Sequence, residues 1–280
     1  MEQLTFRKFD GVYQEVLEKI YAYWTPQMQQ EIALHNYGWR PGLFDFKEYL
    51  RTSSIRFYHA YRSFDKNNEV RTVCDVGGFW GVFPLTLKRL GYDVTMTESL
   101  NYYSNSFNDL FSFIKSEDVR IIDWDPFEPK AKKLNLFDAV TVMAVLEHYP
   151  HSLKSFMKNI TSLINADGSL YIDVPNIAYW PRRIKLLYGR TPLTPLEVIY
   201  NSEMPFIGHH HEFTMAELLS LASLSGLDVR AKSFFNCPKK ITSIKTRLWT
   251  AMDAIVYAIL PDACECLALS CKKKDNHPST

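Results

Sequence analysis

The sequence predicts a doubly wound, Rossmann-like α/β sheet of about seven strands, carrying a helical N-terminal cap. Three observations predict it. From residue 70 onward, short apolar stretches alternate with helical segments, which implies a largely parallel sheet with helices on both faces. Residues 1–69 show no such alternation and read as helical and aromatic-rich. The first apolar stretch ends in an acid and a glycine-rich turn, Asp75-Val76-Gly77-Gly78-Phe79-Trp80-Gly81. In sheets of this class, ligands bind outside the carboxyl ends of the strands.

In the cap, Val12, Val16, Leu17 and Ile20 recur at helical spacing. Tyr37-Gly38-Trp39-Arg40-Pro41-Gly42 reads as a loop by its Gly and Pro content. Residues 44–64 resume a helical pattern, which residues 65–68 close. Strands are expected at 70–76, 93–97, 120–123, 137–143, 169–174, 227–235 and 264–271. The fourth is apolar almost throughout, as a strand buried on both faces should be. Helices are expected at 83–90, 101–114, 152–164 and 215–225. Thr214 and Glu217 form a capping box at the start of the last. Asp167-Gly168 is expected to turn the chain before strand five. Residues 177–212, rich in proline, and 238–262 interrupt the 70–280 domain as insertions. The stretch 272–280 reads as a disordered tail.

Bulk properties narrow the function. The 280 residues carry a formal net charge of +1, so no basic face argues for nucleic acid. The five cysteines contain no Cys-x-x-Cys pair, and neither a disulfide framework nor a zinc site is suggested. Residues 1–10 lack the apolar run of a signal peptide, and residues 248–260 contain Asp253 and are too short to span a bilayer. A cytoplasmic protein without an integral membrane segment is the expectation. Peripheral contact stays open, because the basic run around Lys239, Lys240, Lys245 and Arg247 precedes an apolar helix. Arg182, Arg183 and Lys185 could hold an anionic acceptor, although a solvated face is the default for such runs. Nothing bears on oligomeric state.

The turn after strand one is the informative feature. Gly77, Gly78 and Gly81 let backbone approach a ligand closely. Glu98 ends the second strand, 23 residues after Asp75, where a carboxylate can accept both ribose hydroxyls of an adenosine. Asp123 ends the third, where it could meet an adenine amino group, and Trp124 could pack on the ring. Met143, the last residue of the fourth strand, joins this set. A nicotinamide enzyme would cradle a pyrophosphate at the turn, and Asp75 would repel it. The ammonium of S-adenosyl-L-methionine (SAM) would instead want an acceptor there.

Together these residues resemble the class I SAM-dependent methyltransferase family. That family has an acid and three spaced glycines after strand one, and an acid closing strand two. It also has Phe-Asp opening strand four, Leu-Glu-His after it, and a glycine turn before strand five. This chain offers Asp75, Gly77 and Gly81; Glu98; Phe137-Asp138; Leu146-Glu147-His148; and Asp167-Gly168. It departs where the middle glycine would stand, at Phe79. The resemblance implies methyl transfer from SAM. A further likeness, to bacterial methyltransferases that accompany polysaccharide synthesis, implies O-methylation of a sugar, glycan or other small molecule. An aromatic or quinone-like acceptor is the alternative, suited to the aromatic cap residues Tyr13, Tyr21, Tyr23, Trp24, Tyr37 and Trp39. A catalytically silent binding protein is the other.

Transfer from a sulfonium to a hydroxyl needs alignment and a base. His148, at the rim past strand four, is the first candidate, and His210, in the run Gly208-His209-His210-His211-Glu212, is the second. Consecutive residues of an extended run point to alternate sides, so this run predicts an acceptor-contacting loop and not a metal site.

Overall fold

The structure, a computed structural model, describes residues 4–37, 45–64, 70–128, 131–150, 152–202, 206, 208–238 and 243–274. Four helices open the chain: α1 (Phe6–Tyr21), α2 (Pro26–Tyr37), α3 (Phe46–Thr52) and α4 (Ser54–Phe64). Of the spacing read in α1, Val16, Leu17 and Ile20 are buried on its packing face, while Val12 is half-buried and Tyr13 takes the buried position beside it. Tyr37 ends α2 rather than opening a loop, while the expected loop residues 38–42 and the closing residues 65–68 lie outside the described residues.

Seven strands follow: β1 (Thr72–Val76), β2 (Asp93–Glu98), β3 (Arg120–Asp123), β4 (Phe137–Met143), β5 (Ile164–Pro175), β6 (Leu227–Phe235) and β7 (Cys266–Lys273). They form one sheet in the order β3-β2-β1-β4-β5-β7-β6. Pairs from β3 to β5 are parallel; β7 runs antiparallel between β5 and β6. Helices α5 (Val82–Arg89) and α6 (Asn108–Ser116) follow β1 and β2, α7 (Leu153–Ser162) follows β4, and α10 (Met215–Leu224) precedes β6. The insertions supply α8 (Trp180–Leu187), α9 (Leu196–Tyr200) and α11 (Ile244–Ile259).

Strand alternation divides the core. Val73 points to the face shared by the cap, α5 and α6; Cys74 points to the face covered by α7 and α10. The cap therefore has no separate core: Phe9, Tyr13 and Phe64 pack in the same cluster as Val73, Val94 and Ala139. Trp24 stacks on Trp80 with ring centroids 4.0 Å apart, and Tyr23 stacks on Phe113 at 4.6 Å. Trp24 and Tyr23 thus fasten the cap to the turn after β1 and to α6, while Tyr13 donates to the Leu50 carbonyl and stacks on Phe57 within the cap.

Three local expectations are corrected. Asp167-Gly168 is no turn but part of β5, where the register against β4 shifts between Phe137 and Ala139. Gly168 is needed there because a Cβ would sit 2.8 Å from the Phe137 carbonyl oxygen. Lys272 and Lys273 belong to β7, not to a tail; residues 275–280 lie outside the described residues. The helix expected from residue 101 begins only at Asn108, after two short 3-10 turns. The capping box at Thr214 is present, with Glu217 bonded back to the Thr214 backbone.

Candidate active site

A cavity of about 650 Å³ opens outside the carboxyl ends of β1, β2, β4 and β5. At one end lies the turn after β1. Gly77 takes φ +69°, and a Cβ there would meet Val145 at 2.6 Å, so only glycine fits. Phe79 also adopts the left-handed region, at φ +54°. The position where the family's middle glycine would stand thus holds a conformation that favours glycine, with a phenylalanine in it. The Phe79 N–H donates to Glu98 Oε1, while the Tyr103 hydroxyl donates to Glu98 Oε2 at 2.9 Å. Thr141 donates to Asp75 Oδ1 at 2.6 Å.

Burial dominates the electrostatics of this end. It pushes the Asp75 carboxyl up to about 7 and the Glu98 carboxyl up to about 8, against the lowering effect of their hydrogen bonds. A cation placed in the cavity would restore their ionised forms. Gly78, Trp124 and Met143 also line the cavity. Two nominated residues do not. Asp123 is exposed and accepts from the Leu100 N–H at 3.0 Å; Asp125 lines the wall instead. Gly81 is the N-cap of α5, where a Cβ would strike Ile114 Cδ1 at 2.5 Å, so its role is packing.

The other end gathers groups from distant parts of the chain. Glu147, from the turn after β4, is fully buried, and neither carboxylate oxygen meets a partner of ordinary geometry among the described residues. Burial raises its carboxyl to about 7. His148 follows it and lies edge-to-face with His209, ring centroids 4.9 Å apart. Burial, then the neighbouring His148 and Arg182, lower His209 to about 3, so it is neutral. Its Nδ1 bonds Glu212 at 3.0 Å, and Glu212 pairs with Arg182. Glu147, His148 and His209 bring one ligand-type atom each within 4.8 Å of one another, a set that could hold a metal. Beneath them Arg56 of α4 pairs with Asp173 of β5 at 3.3 Å and bonds Tyr49. His210 lines the cavity too, but its Nε2 bonds the Phe206 carbonyl at 3.0 Å.

The methyltransferase domain family matches residues 46–232. The chain belongs to it. It is a SAM-dependent methyltransferase, and SAM is its cofactor. Among solved structures, a SAM-dependent methyltransferase from Archaeoglobus fulgidus is 17% identical at a TM-score of 0.51, over 78% of this chain and 93% of that one. Magnesium protoporphyrin IX methyltransferase from Synechocystis PCC 6803, with bound SAH, is 13% identical at 0.51, over 85% and 91%. The Haloferax volcanii methyltransferase solved with its Trm112 activator is 13% identical at 0.51, over 79% and 92%. At such identities the likeness is one of fold. No curated protein sequence matches the chain.

Sequence reasoning about this methyltransferase missed several cavity residues. Arg56 stands out, with the aromatics Phe46, Tyr49 and Phe57 of the cap; Asp173, the buried partner of Arg56, was missed with it, while His209 was visible only as one of its run. Of the cap aromatics singled out for a pocket, the Tyr37 side chain and all of Trp39 lie outside the described residues. Asp173 carried a usable signal, being the one acid within the apolar stretch 169–174 of β5. Arg56 carried none.

Proposed function

We propose that this methyltransferase transfers the SAM methyl group to a hydroxyl of a sugar, glycan or other small molecule. In this reading Asp75 receives the SAM ammonium, Glu98 the ribose hydroxyls, and Trp124 and Met143 flank the adenine side. Bound SAM supplies an activated methyl on a good, neutral leaving group. The protein's own work is to align the acceptor, exclude water and hold its proton.

The observation that carries the reading is the placement of His148 beside a neutral His209, above the buried Glu147. His148 takes the acceptor proton. His209 adds no competing positive charge to that step, and Glu147 stabilises the imidazolium that forms. His210, bonded to Phe206, is the second candidate and contacts the acceptor from the loop side.

An aromatic or quinone-like acceptor is the second reading, favoured by Phe46, Phe57 and Phe206 in the cavity wall. Labelled SAM offered with a panel of sugars, glycans and phenols separates the two, by which class becomes labelled. A chelator belongs in the same assay. Activity that survives chelation supports His148 as base; activity lost and restored by a divalent cation reassigns Glu147, His148 and His209 to that cation.

A further inference from the structure

We infer that the two insertions form a docking surface for a lipid bilayer carrying anionic headgroups, next to the mouth of the active-site cavity. The inference does not depend on which acceptor is methylated.

The starting point is an inverted helix. On α11, Ile244, Leu248, Met252, Ile255 and Ile259 follow at steps of three and four residues, so they form one stripe. All five are exposed, Ile244 to 81% and Ile259 to 72%. Among the described side chains of α11, the buried one is acidic: Asp253 accepts from the Trp180 indole N–H at 2.7 Å. A helix of a globular protein normally does the reverse.

Its neighbour repeats the pattern. Trp180 of α8 stacks on Trp249 of α11 with centroids 4.8 Å apart, and Arg183 pairs with Asp262 at 3.1 Å. The Trp180 contacts to Asp253 and Trp249 join α8 to α11, and the Arg183 pair ties α8 to the turn after α11. Outward, α8 presents Ile184 and Leu187, the latter 85% exposed, followed by Tyr188. Next along the chain, α9 exposes Leu196, Ile199 and Tyr200. Exposed apolar surface of this extent marks an interaction site.

Charge selects the occupant. Lys185, Arg190 and Arg247 are exposed among the apolar residues, and from 180 to 200 and 243 to 263 the exposed acids among the described residues are Glu197 and Asp262, the latter already paired with Arg183. Basic side chains beside an apolar stripe suit a helix lying in an anionic headgroup layer. A second copy of the chain suits it less, because a twofold interface would set these like charges against each other. No helix among the described residues is long and apolar enough to cross a membrane, so the contact is one of lying on the surface. Tyr179 and Arg182, at the start of α8, line the cavity. A docked enzyme would thus present its acceptor end toward molecules carried in the bilayer.

The test is flotation of the full chain with phosphatidylcholine vesicles, with and without phosphatidylglycerol. Binding at least about tenfold stronger to the anionic vesicles, weakened by salt, is expected. The pair Leu187→Asp with Leu248→Asp should lose about tenfold or more of that binding, while SAM affinity and circular dichroism stay unchanged, since both side chains are exposed. The pair Lys185→Glu with Arg247→Glu should lower binding to anionic vesicles only. Equal or absent binding to both vesicle types overturns the inference. So does a concentration-dependent dimer that the Asp pair dissociates without any vesicle binding. Failure of SAM to bind would sink the functional reading and leave the flotation result standing.

Discussion

The two ends of the cavity are built in different ways. The end with Asp75 and Glu98 comes from two adjacent parallel strands and one tight turn. Its parts lie within about one β-α-β unit and are held by the sheet register, Asp75 opposite Met96 and Val76 opposite Thr97. The end with Glu147, His148 and His209 draws on the cap, the turn after β4, β5 and the first insertion. The first is a socket fixed by adjacent strands of the sheet. The second is an assembly whose geometry rests on how separate segments pack, which leaves the acceptor free to vary between relatives that share the fold. The comparison teaches where chemistry and binding should come apart on mutation.

The sharpest separation should come from His148→Ala. As a general base it should lower turnover by roughly 10²- to 10⁴-fold, with SAM affinity by calorimetry changed less than about twofold. His209→Ala should lower turnover less, and His210→Ala least. If His148→Ala weakened SAM binding as strongly as turnover, the two ends would be one unit and the comparison would fail.

The reciprocal variant is Glu98→Ala. It removes a carboxylate bonded to the Phe79 N–H and the Tyr103 hydroxyl, and it leaves that backbone N–H unpaired. A loss of about tenfold to a hundredfold in SAM affinity is expected, the scale of a charge-assisted hydrogen bond. Titration with SAM and with SAH checks it; unchanged affinity would remove the ribose from Glu98.

This asymmetry also explains what the sequence made legible. Asp75, Gly77 and Glu98 could be found because strand ends and turns are local patterns of residue type. Asp123 misled for a local reason as well. It is in register with Glu98, but its side chain accepts from the Leu100 N–H, and the acid that reaches the wall is Asp125, two residues later. The seven strands were legible from alternation, whereas the antiparallel β7 was not, since apolar alternation carries no direction. His148 and the histidine run were visible separately. That His209, and not His210, meets His148 depends on the His210 and His211 N–H groups reaching back to the Glu147 carbonyl across more than 60 residues of chain. Long-range closure of that kind leaves no periodic trace.

A pH titration of stability sharpens the comparison further. Asp75 and Glu98 at one end, and Glu147 and Asp173 at the other, are all raised by burial, to about 7, 8, 7 and 7. Between their ordinary values and these, the folded protein holds more protons than the unfolded chain. Stability of the SAM-free protein should therefore fall as pH rises from about 4 to about 8, by up to about 1.4 kcal/mol per pH unit for each group titrating, and then level off. Bound SAM should flatten only the part due to Asp75 and Glu98, so its stabilising effect grows with pH. Thermal unfolding across that range, with and without SAM and with Asp75→Asn, reads both parts. A stabilisation by SAM that shrinks with rising pH would contradict the placement of its cation beside Asp75.

The smallest expected effect concerns Phe79, where the fixed socket departs from its family's pattern. A residue with a Cβ at φ +54° carries about 1 kcal/mol of backbone strain that glycine would not. The ring offsets it by packing, against Trp80 edge-on at 5.4 Å and Phe46 at 6.2 Å. Two substitutions split these contributions. Phe79→Ala loses the packing and keeps the strain; Phe79→Gly loses both. In an ordinary helix or strand position glycine is the less stable of the two by about 0.5–1 kcal/mol. Here the order should reverse, with Phe79→Gly about 0.5–1 kcal/mol more stable than Phe79→Ala in denaturant unfolding. If alanine proved the more stable, Phe79 would not hold the left-handed conformation. The turn would then bind SAM in a shape different from the one in which its N–H meets Glu98.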